Sequence, residues 1–194
     1  GKLMVQGFIT VFGTAAIAAN AISSSVVSFT NIPGGAIGLA SITIIGQAVG
    51  ARRHDEALYW GKRLLLISYI TMTSLCIPGF FLTPTVVGFF NLSSEANTIA
   101  VTVIRTAMIM GALLWSPSFA LPNFLRAAGD AKYTMAVSML SMWFFRVAVS
   151  YYLAIGLRWG VYGVWIGMYI DWICRGLLFT QRFLRGKWRT KTLI

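Results

Sequence analysis

The stretch NIPGGAIGLASITIIGQAVGARRHDEA, residues 31–57, joins a helix breaker, an apolar run and an abrupt cluster of charge. It closes a longer region, residues 3–51, in which 49 residues pass without one charged side chain. As helix, that region would extend roughly 74 Å at about 1.5 Å per residue, against a bilayer core of ~30 Å. Two arrangements satisfy the length. Two full spans can meet at Asn31-Ile32-Pro33, or residues 1–12 can be part of one span, Gly13 a turn, and residues 14–51 a single long helix kinked at Pro33. Proline removes a helical hydrogen bond and glycines remove steric support, so Pro33, Gly34 and Gly35 are candidate hinge residues in either case.

Composition sets the solvent. The chain is 57% apolar and only 11% charged, whereas a soluble domain carries about a quarter charged residues. Lipid is therefore the medium for most of it. Repeated uncharged runs long enough to span, without polar/apolar alternation, specify helices and not barrel strands. The net charge of +11 would suggest nucleic acid in a soluble protein, but its distribution argues against that partner. Eleven of the sixteen basic residues fall in three clusters between or after the apolar runs: Arg52, Arg53, Lys62 and Arg63; Arg126 and Lys132; Arg182, Arg185, Lys187, Arg189 and Lys191. That is the pattern of cytoplasmic loops under the positive-inside rule. Cys76 and Cys174 lie within apolar segments and read as packing thiols.

With the basic clusters placed inside, the remaining spans fall at residues 64–82, 98–122, 133–155 and 161–181, and a basic cytoplasmic tail at 182–194. Residues 83–97 form a polar outer connection in which Ser93 is the expected N-cap and Glu95 sits in the first helical turn. Gly156 to Gly160 form an outer turn. Small residues at four-residue spacing (Gly46/Gly50, Ala107/Gly111, Gly156/Gly160, Gly163/Gly167) predict close helix packing in lipid. Asn20, Ser24, Ser28 and Asn31 recur at helical spacing and make one polar stripe facing water or other helices. The opening GKLMVQGF has no signal-peptide character, and reads as a start partway through a longer chain.

AAIAANAI (15–22), IPGGAIG (32–38) and IIGQAVGARRHDEAL (44–58) resemble the first full helix of a lobe in multidrug and toxic compound extrusion (MATE) transporters. LPNFLRAAGDAKY (121–133) resembles the inner end of a later helix, and RWGVYGVWIGMYIDWICR (158–175) with FLRGKW (183–188) the final helix and basic tail. These motifs stand in the family's order over nearly the whole chain. The resemblance implies an all-α polytopic transmembrane bundle: one six-helix lobe, the C-terminal one, with its first helix truncated and residues 14–51 as one kinked element. It implies a secondary transporter in the plasma membrane, not an enzyme. Amphipathic or cationic organic compounds would be exported by antiport against protons or sodium, through alternating access between this lobe and a missing N-terminal lobe. No cofactor is implied beyond the coupling ion. The partners would be the lipid bilayer, that second lobe and a small organic substrate.

Charged groups inside a bilayer ask for a partner or a role. Asp171 and Arg175 stand four apart on the last helix, and Arg146 lies about halfway along the preceding antiparallel one. An Arg146–Asp171–Arg175 cluster is therefore expected, either as a register-fixing salt bridge or as part of an ion or substrate pathway. Arg105 snorkels toward the outer end of its helix. Lys2 and Gln6 share a helical face, which under the family reading looks into the central cavity. Trp115 is a candidate aromatic for flat cations, or a packed side chain. The pathway candidates are thus Lys2, Gln6, Asn20, Ser24, Ser28, Asn31, Trp115, Arg146, Asp171 and Arg175. His54 reads as a solvated loop residue, and no metal-ligand spacing enlists it. Some family members carry a coupling carboxylate in the helix matching residues 98–122; here no acid stands between Glu95 and Asp130. No phosphate-binding loop or nucleophile motif appears. A lipid-linked oligosaccharide flippase of related fold, in which Lys2, Arg105, Arg146 and Arg175 would be fixed cations, and a non-transporting structural membrane subunit are the alternatives.

Overall fold

A computed structural model describes the backbone of residues 2–190 and the side chains of residues 6–188. Among the described residues every regular element is helical. Helix α1 (Lys2–Ile9) ends in a 3-10 turn, Thr10–Phe12, and the chain reverses at Gly13, whose φ of 89° lies where only glycine is unstrained. Helix α2 then runs unbroken over Thr14–Gly50, with Pro33 inside it. Of the two arrangements open to the sequence, this is the single long element.

Helix α3 (His54–Gly88) begins directly after a tight turn. Arg53 N–H bonds Ala48 O at 2.8 Å and Arg52 N–H bonds Val49 O at 2.9 Å, the paired bonds of a Schellman cap. Arg52 takes the left-handed position, φ 60°. Arg52 and Arg53 thus form the connecting turn, and the helix starts at His54, with Asp55 and Glu56 in the first turn, where their charge complements the helix dipole. His54 is only partly open to solvent. It is half-buried, its ring 6.5 Å from that of Trp188.

Helix α4 (Ser94–Trp115) is capped by Ser93, whose Oγ accepts from Ala96 N–H at 3.3 Å. It continues through a wide π-helical turn, Ser116–Ala120, into α5 (Leu121–Ala127). A second Schellman turn follows, with Gly129 at φ 89° and Asp130 N–H on Leu125 O at 2.9 Å. Helix α6 (Ala131–Ser141) passes into π-helical stretches, Met142–Val149 and Tyr152–Gly156. Helix α7 (Gly160–Leu184) ends before a last 3-10 turn, Lys187–Thr190.

Four of these helical runs are long and apolar enough to cross a membrane: Thr14–Gly50, His54–Gly88, Ser94–Ala127 and Ala131–Gly156. The 25 residues of α7 reach roughly 37 Å at ~1.5 Å per residue, also enough to span. It carries two buried charges, Asp171 and Arg175. Large apolar side chains such as Phe29, Phe81 and Leu140 are more than 70% exposed, which suits lipid and not water. The protein is a multi-pass membrane protein.

Two compact units divide the chain. Residues up to Thr30, with Leu75–Met110 and Leu140–Asp171, form the first; Asn31–Ser74, Gly111–Met139 and the residues from Trp172 onward form the second. In the first unit α7 lies tightly on the preceding helix. A Cβ on Gly163 would come within 2.7 Å of Ala154 N, and one on Gly167 would overlap Ser150 Oγ. Gly163/Gly167 is therefore a true close-packing pair. Gly46/Gly50 is not, because both open onto empty space in the described structure. Spacing alone does not say which helix face finds a neighbour. Arg105, on α4, is half-buried with its guanidinium 5.2 Å from the Phe80 ring centroid.

The second unit has an aromatic core around Phe124, whose ring meets Phe183 and Trp188 edge-on at 4.9 Å each. Gly61 admits that ring, since a Cβ there would overlap it. Asp130, 3% exposed, receives a forked pair of hydrogen bonds from Arg182: Nε to Oδ2 at 2.6 Å and Nη2 to Oδ1 at 3.1 Å. The Asp130 carboxylate holds the Arg182 guanidinium above its ordinary pKa. That guanidinium also lies 4.5 Å from the Tyr133 ring centroid.

Candidate functional site

The polar stripe of α2 lines a groove in the first unit. Its volume is about 470 Å³, and Gln6 and Thr10 of the opening turns share it with Asn20, Ser24, Ser25 and Ser28. A smaller cavity of about 80 Å³ adjoins the same side chains. There Gln6, Asn20 and Ser24 meet Arg146, Trp165 and Met168. Arg146 stands on the wide-turned stretch Met142–Val149. Such i→i+5 turns re-aim side chains and recur at functional positions.

One hydrogen bond fixes the geometry of this corner. Trp165 Nε1–H donates to Asn20 Oδ1 at 3.1 Å. An indole nitrogen can only donate, so the amide oxygen must be the atom facing it. The Asn20 amino group, a pure donor, is thereby left on the opposite side of its amide. With Trp165 only 6% exposed, the bond is shielded from water and holds the asparagine rotamer. Gln6, Asn20, Ser24 and Arg146 thus place amide, hydroxyl and guanidinium groups against apolar Ile9, Val164 and Met168. Such a surface sets apolar contact and hydrogen-bonding groups side by side.

Deeper in the unit, Asp171 is fully buried on α7, and its Oδ1 accepts from Ser141 Oγ. Arg175 belongs to the second unit, 8% exposed, with its guanidinium 5.8 Å from the Phe119 ring centroid. Asn31 falls in the second unit, half-buried, and is not among the residues lining the groove. Lys2 lies outside the described side chains.

Trp115 is packed and lines neither cavity. It is 6% exposed and stacked on Phe119 at 5.6 Å, and a Cβ on Gly34 would come within 2.5 Å of its ring. Of the three candidate hinge residues, Gly34 is therefore a close-approach position, Gly35 meets nothing within 4 Å, and Pro33 lies inside the helical run Thr14–Gly50.

Sequence reasoning did not find Trp165, Ser25 or Met168 as lining residues, Ser141 as the partner of Asp171, or Arg182 as the partner of Asp130. The signal for Trp165 was available in principle: an indole N–H on an apolar helix needs an acceptor. Its partner is 145 residues away, a separation that no local pattern encodes.

Comparison with known proteins places this geometry. The MatE family model matches residues 2–152. The uncharacterized transporter YisQ of Bacillus subtilis (strain 168) is 27% identical, in an alignment covering 98% of this chain and 42% of YisQ. The probable multidrug resistance protein NorM of Thermotoga maritima is 24% identical over 100% of this chain and 42% of its own. Among solved structures, a MOP-superfamily transporter from Pyrococcus furiosus matches with a TM-score of 0.85 at 18% identity, over 98% of this chain and 41% of that one. It is described as having a binding pocket of reverse polarity that suggests a different function. An outward-facing MATE-family multidrug resistance transporter matches with a TM-score of 0.82 at 16% identity, over 95% and 42% of the two chains. The chain thus has the fold of these transporters and spans about two fifths of their length.

Proposed function

The chain belongs to the MatE family, and from that membership we propose that it forms one lobe of a secondary active transporter, the C-terminal lobe, working against a second lobe in the plasma membrane. In this reading the groove of α2 is the lobe's wall of the translocation pathway. The two lobes are parallel repeats, and rocking of one against the other exposes the site to either side. Amphipathic or cationic organic compounds leave the cell in exchange for protons or sodium, no other cofactor takes part, and the basic tail is cytoplasmic. One observation carries the proposal: polar groups at Gln6, Asn20, Ser24 and Arg146 converge on a cavity within helices that otherwise turn apolar side chains outward.

A second reading is favoured by a specific feature of that cavity. Arg146 is the one charged residue among its described lining residues. A guanidinium repels cationic drugs and attracts anionic groups, as a flippase of lipid-linked oligosaccharides would need. Proteoliposomes of the complete transporter, assayed for ion-driven uptake of a cationic dye and for flipping of a lipid-linked sugar, separate the two. Export predicts dye transport that persists or improves in Arg146→Gln. Flipping predicts sugar transport that Arg146→Gln abolishes. Failure of both transport activities in correctly folded protein removes the transporter reading.

A further inference from the structure

We propose that the groove between the charged ends of α3 and α7, in the second unit, binds the phosphate of an anionic phospholipid. The groove is built by a reversal of the chain. Gly186 adopts φ 64° and its N–H bonds Phe183 O at 3.1 Å, so the residues that follow fold back on α7. Trp188 is locked there, stacked on Phe183 and donating from Nε1 to Phe183 O at 3.3 Å. Against this folded-back turn lie Leu58 and Lys62, one helical turn apart on α3. The resulting groove of about 440 Å³ is lined also by Leu184 and Arg185, and no acid is among its described lining residues.

The surrounding cations are sorted by what already holds them. Arg182 is forked onto Asp130, Arg63 lies over the Tyr59 ring at 4.7 Å, Arg53 reaches Glu56 at 3.5 Å, and Arg126 Nε donates to Pro122 O at 3.3 Å. Lys62 and Arg185 come from different elements and have no carboxylate partner among the described residues. Both line the groove. Two converging cations next to Leu58 and the 74%-exposed Leu184 make an amphipathic receptor. A phosphate satisfies the cations and an acyl chain covers the leucines, whereas free phosphate would leave the apolar lining in water. Exposed Tyr59 and Trp60 on the same turn of α3 belong to the residue types that settle at the membrane–water boundary. A zwitterionic headgroup would bring its own ammonium against Lys62 and Arg185, so an anionic one is selected.

Native mass spectrometry of the purified protein, in mixed phosphatidylglycerol and phosphatidylcholine, tests the assignment. The wild-type chain retains phosphatidylglycerol in preference to phosphatidylcholine. Lys62→Gln/Arg185→Gln lowers that retention about twentyfold, and each single variant about fivefold. Arg53→Gln/Lys132→Gln, which removes equal charge outside the groove, leaves it unchanged. Far-UV circular dichroism verifies that each variant keeps its helices. Equal losses in both double variants would reduce the effect to a diffuse basic field and overturn the site, as would no loss in either. Displacement of the lipid by excess inorganic phosphate would overturn the lipid as occupant.

Discussion

At residues 33–35 three neighbouring side chains, or their absence, do different things. Gly34 is small because α2 runs against Trp115 and Met72 Sδ, which a Cβ would approach to 2.5 and 2.7 Å. Gly35 faces open space. Alanine at 34 must therefore displace a buried indole, at about 1–3 kcal/mol. Alanine at 35 removes only backbone freedom of the unfolded chain and stabilises by about 0.5–1 kcal/mol. Unfolding midpoints of the two purified variants test this, and equal effects at both positions would show that Gly34 is not a packing glycine. The Asn20–Trp165 bond belongs to the same scale. Trp165→Phe keeps an aromatic ring but loses the indole N–H and strands the Asn20 carbonyl, at a cost of about 1–2 kcal/mol for that bond alone.

At the scale of elements, two turns at the charged end decide how helices begin and end. Arg52 occupies the left-handed cap of α2, where a side chain costs about 1–2 kcal/mol relative to glycine. The unfolded-state entropy of glycine offsets part of that gain. The expected order of thermal stability is thus Gly above Arg above Val at position 52, β-branched valine being least tolerant of that conformation. Asp130 and Arg182 tie the start of α6 to the end of α7. Asp130→Asn leaves Arg182 with half its partner and is expected to cost about 3 kcal/mol. The sign of the pH dependence follows from the raised Arg182 pKa. Stabilisation from a raised basic group is complete below its unfolded pKa and is lost only as pH rises through the folded one, which for a guanidinium lies far above the alkaline range of these measurements. Urea titrations near neutral pH and at mildly alkaline pH should therefore give the same wild-type–Asp130→Asn difference.

The elements also show what a sequence can and cannot carry. The charge-free run 3–51 and the Asn20/Ser24/Ser28 spacing are local patterns: the first left two spans or one long helix open, and the second marked a polar face of α2, whose three side chains line the groove. Continuity through Pro33 is not local, because one missing hydrogen bond is compatible with either a break or a bend, and packing by Trp115 and Met72 on Gly34 accompanies the unbroken helix. The π-helical stretches around Pro117 and across Met142–Gly156 shift the faces that helical-period counting assigns. The contrast between Gly46/Gly50 and Gly163/Gly167, identical in spacing, lies in which face meets a neighbour. His54, Asp55 and Glu56 read as loop because charge marks the membrane edge, not the helix end; of that charge cluster only Arg52 and Arg53 lie in the turn.

Taken unit by unit, the described residues expose apolar side chains such as Phe29, Phe81 and Leu140, while the first unit carries the polar groove of α2 and the second the basic groove of Lys62 and Arg185. The proposed function makes the groove of α2 a water-accessible pathway wall. Thiol labelling of the complete transporter in intact membranes, with Cys76 and Cys174 replaced by alanine, tests that claim directly. Ser24→Cys is predicted to react rapidly with a membrane-impermeant maleimide, while Leu140→Cys, 72% exposed but toward lipid, stays unlabelled. An unreactive Ser24→Cys beside a readily labelled Leu140→Cys would contradict the account.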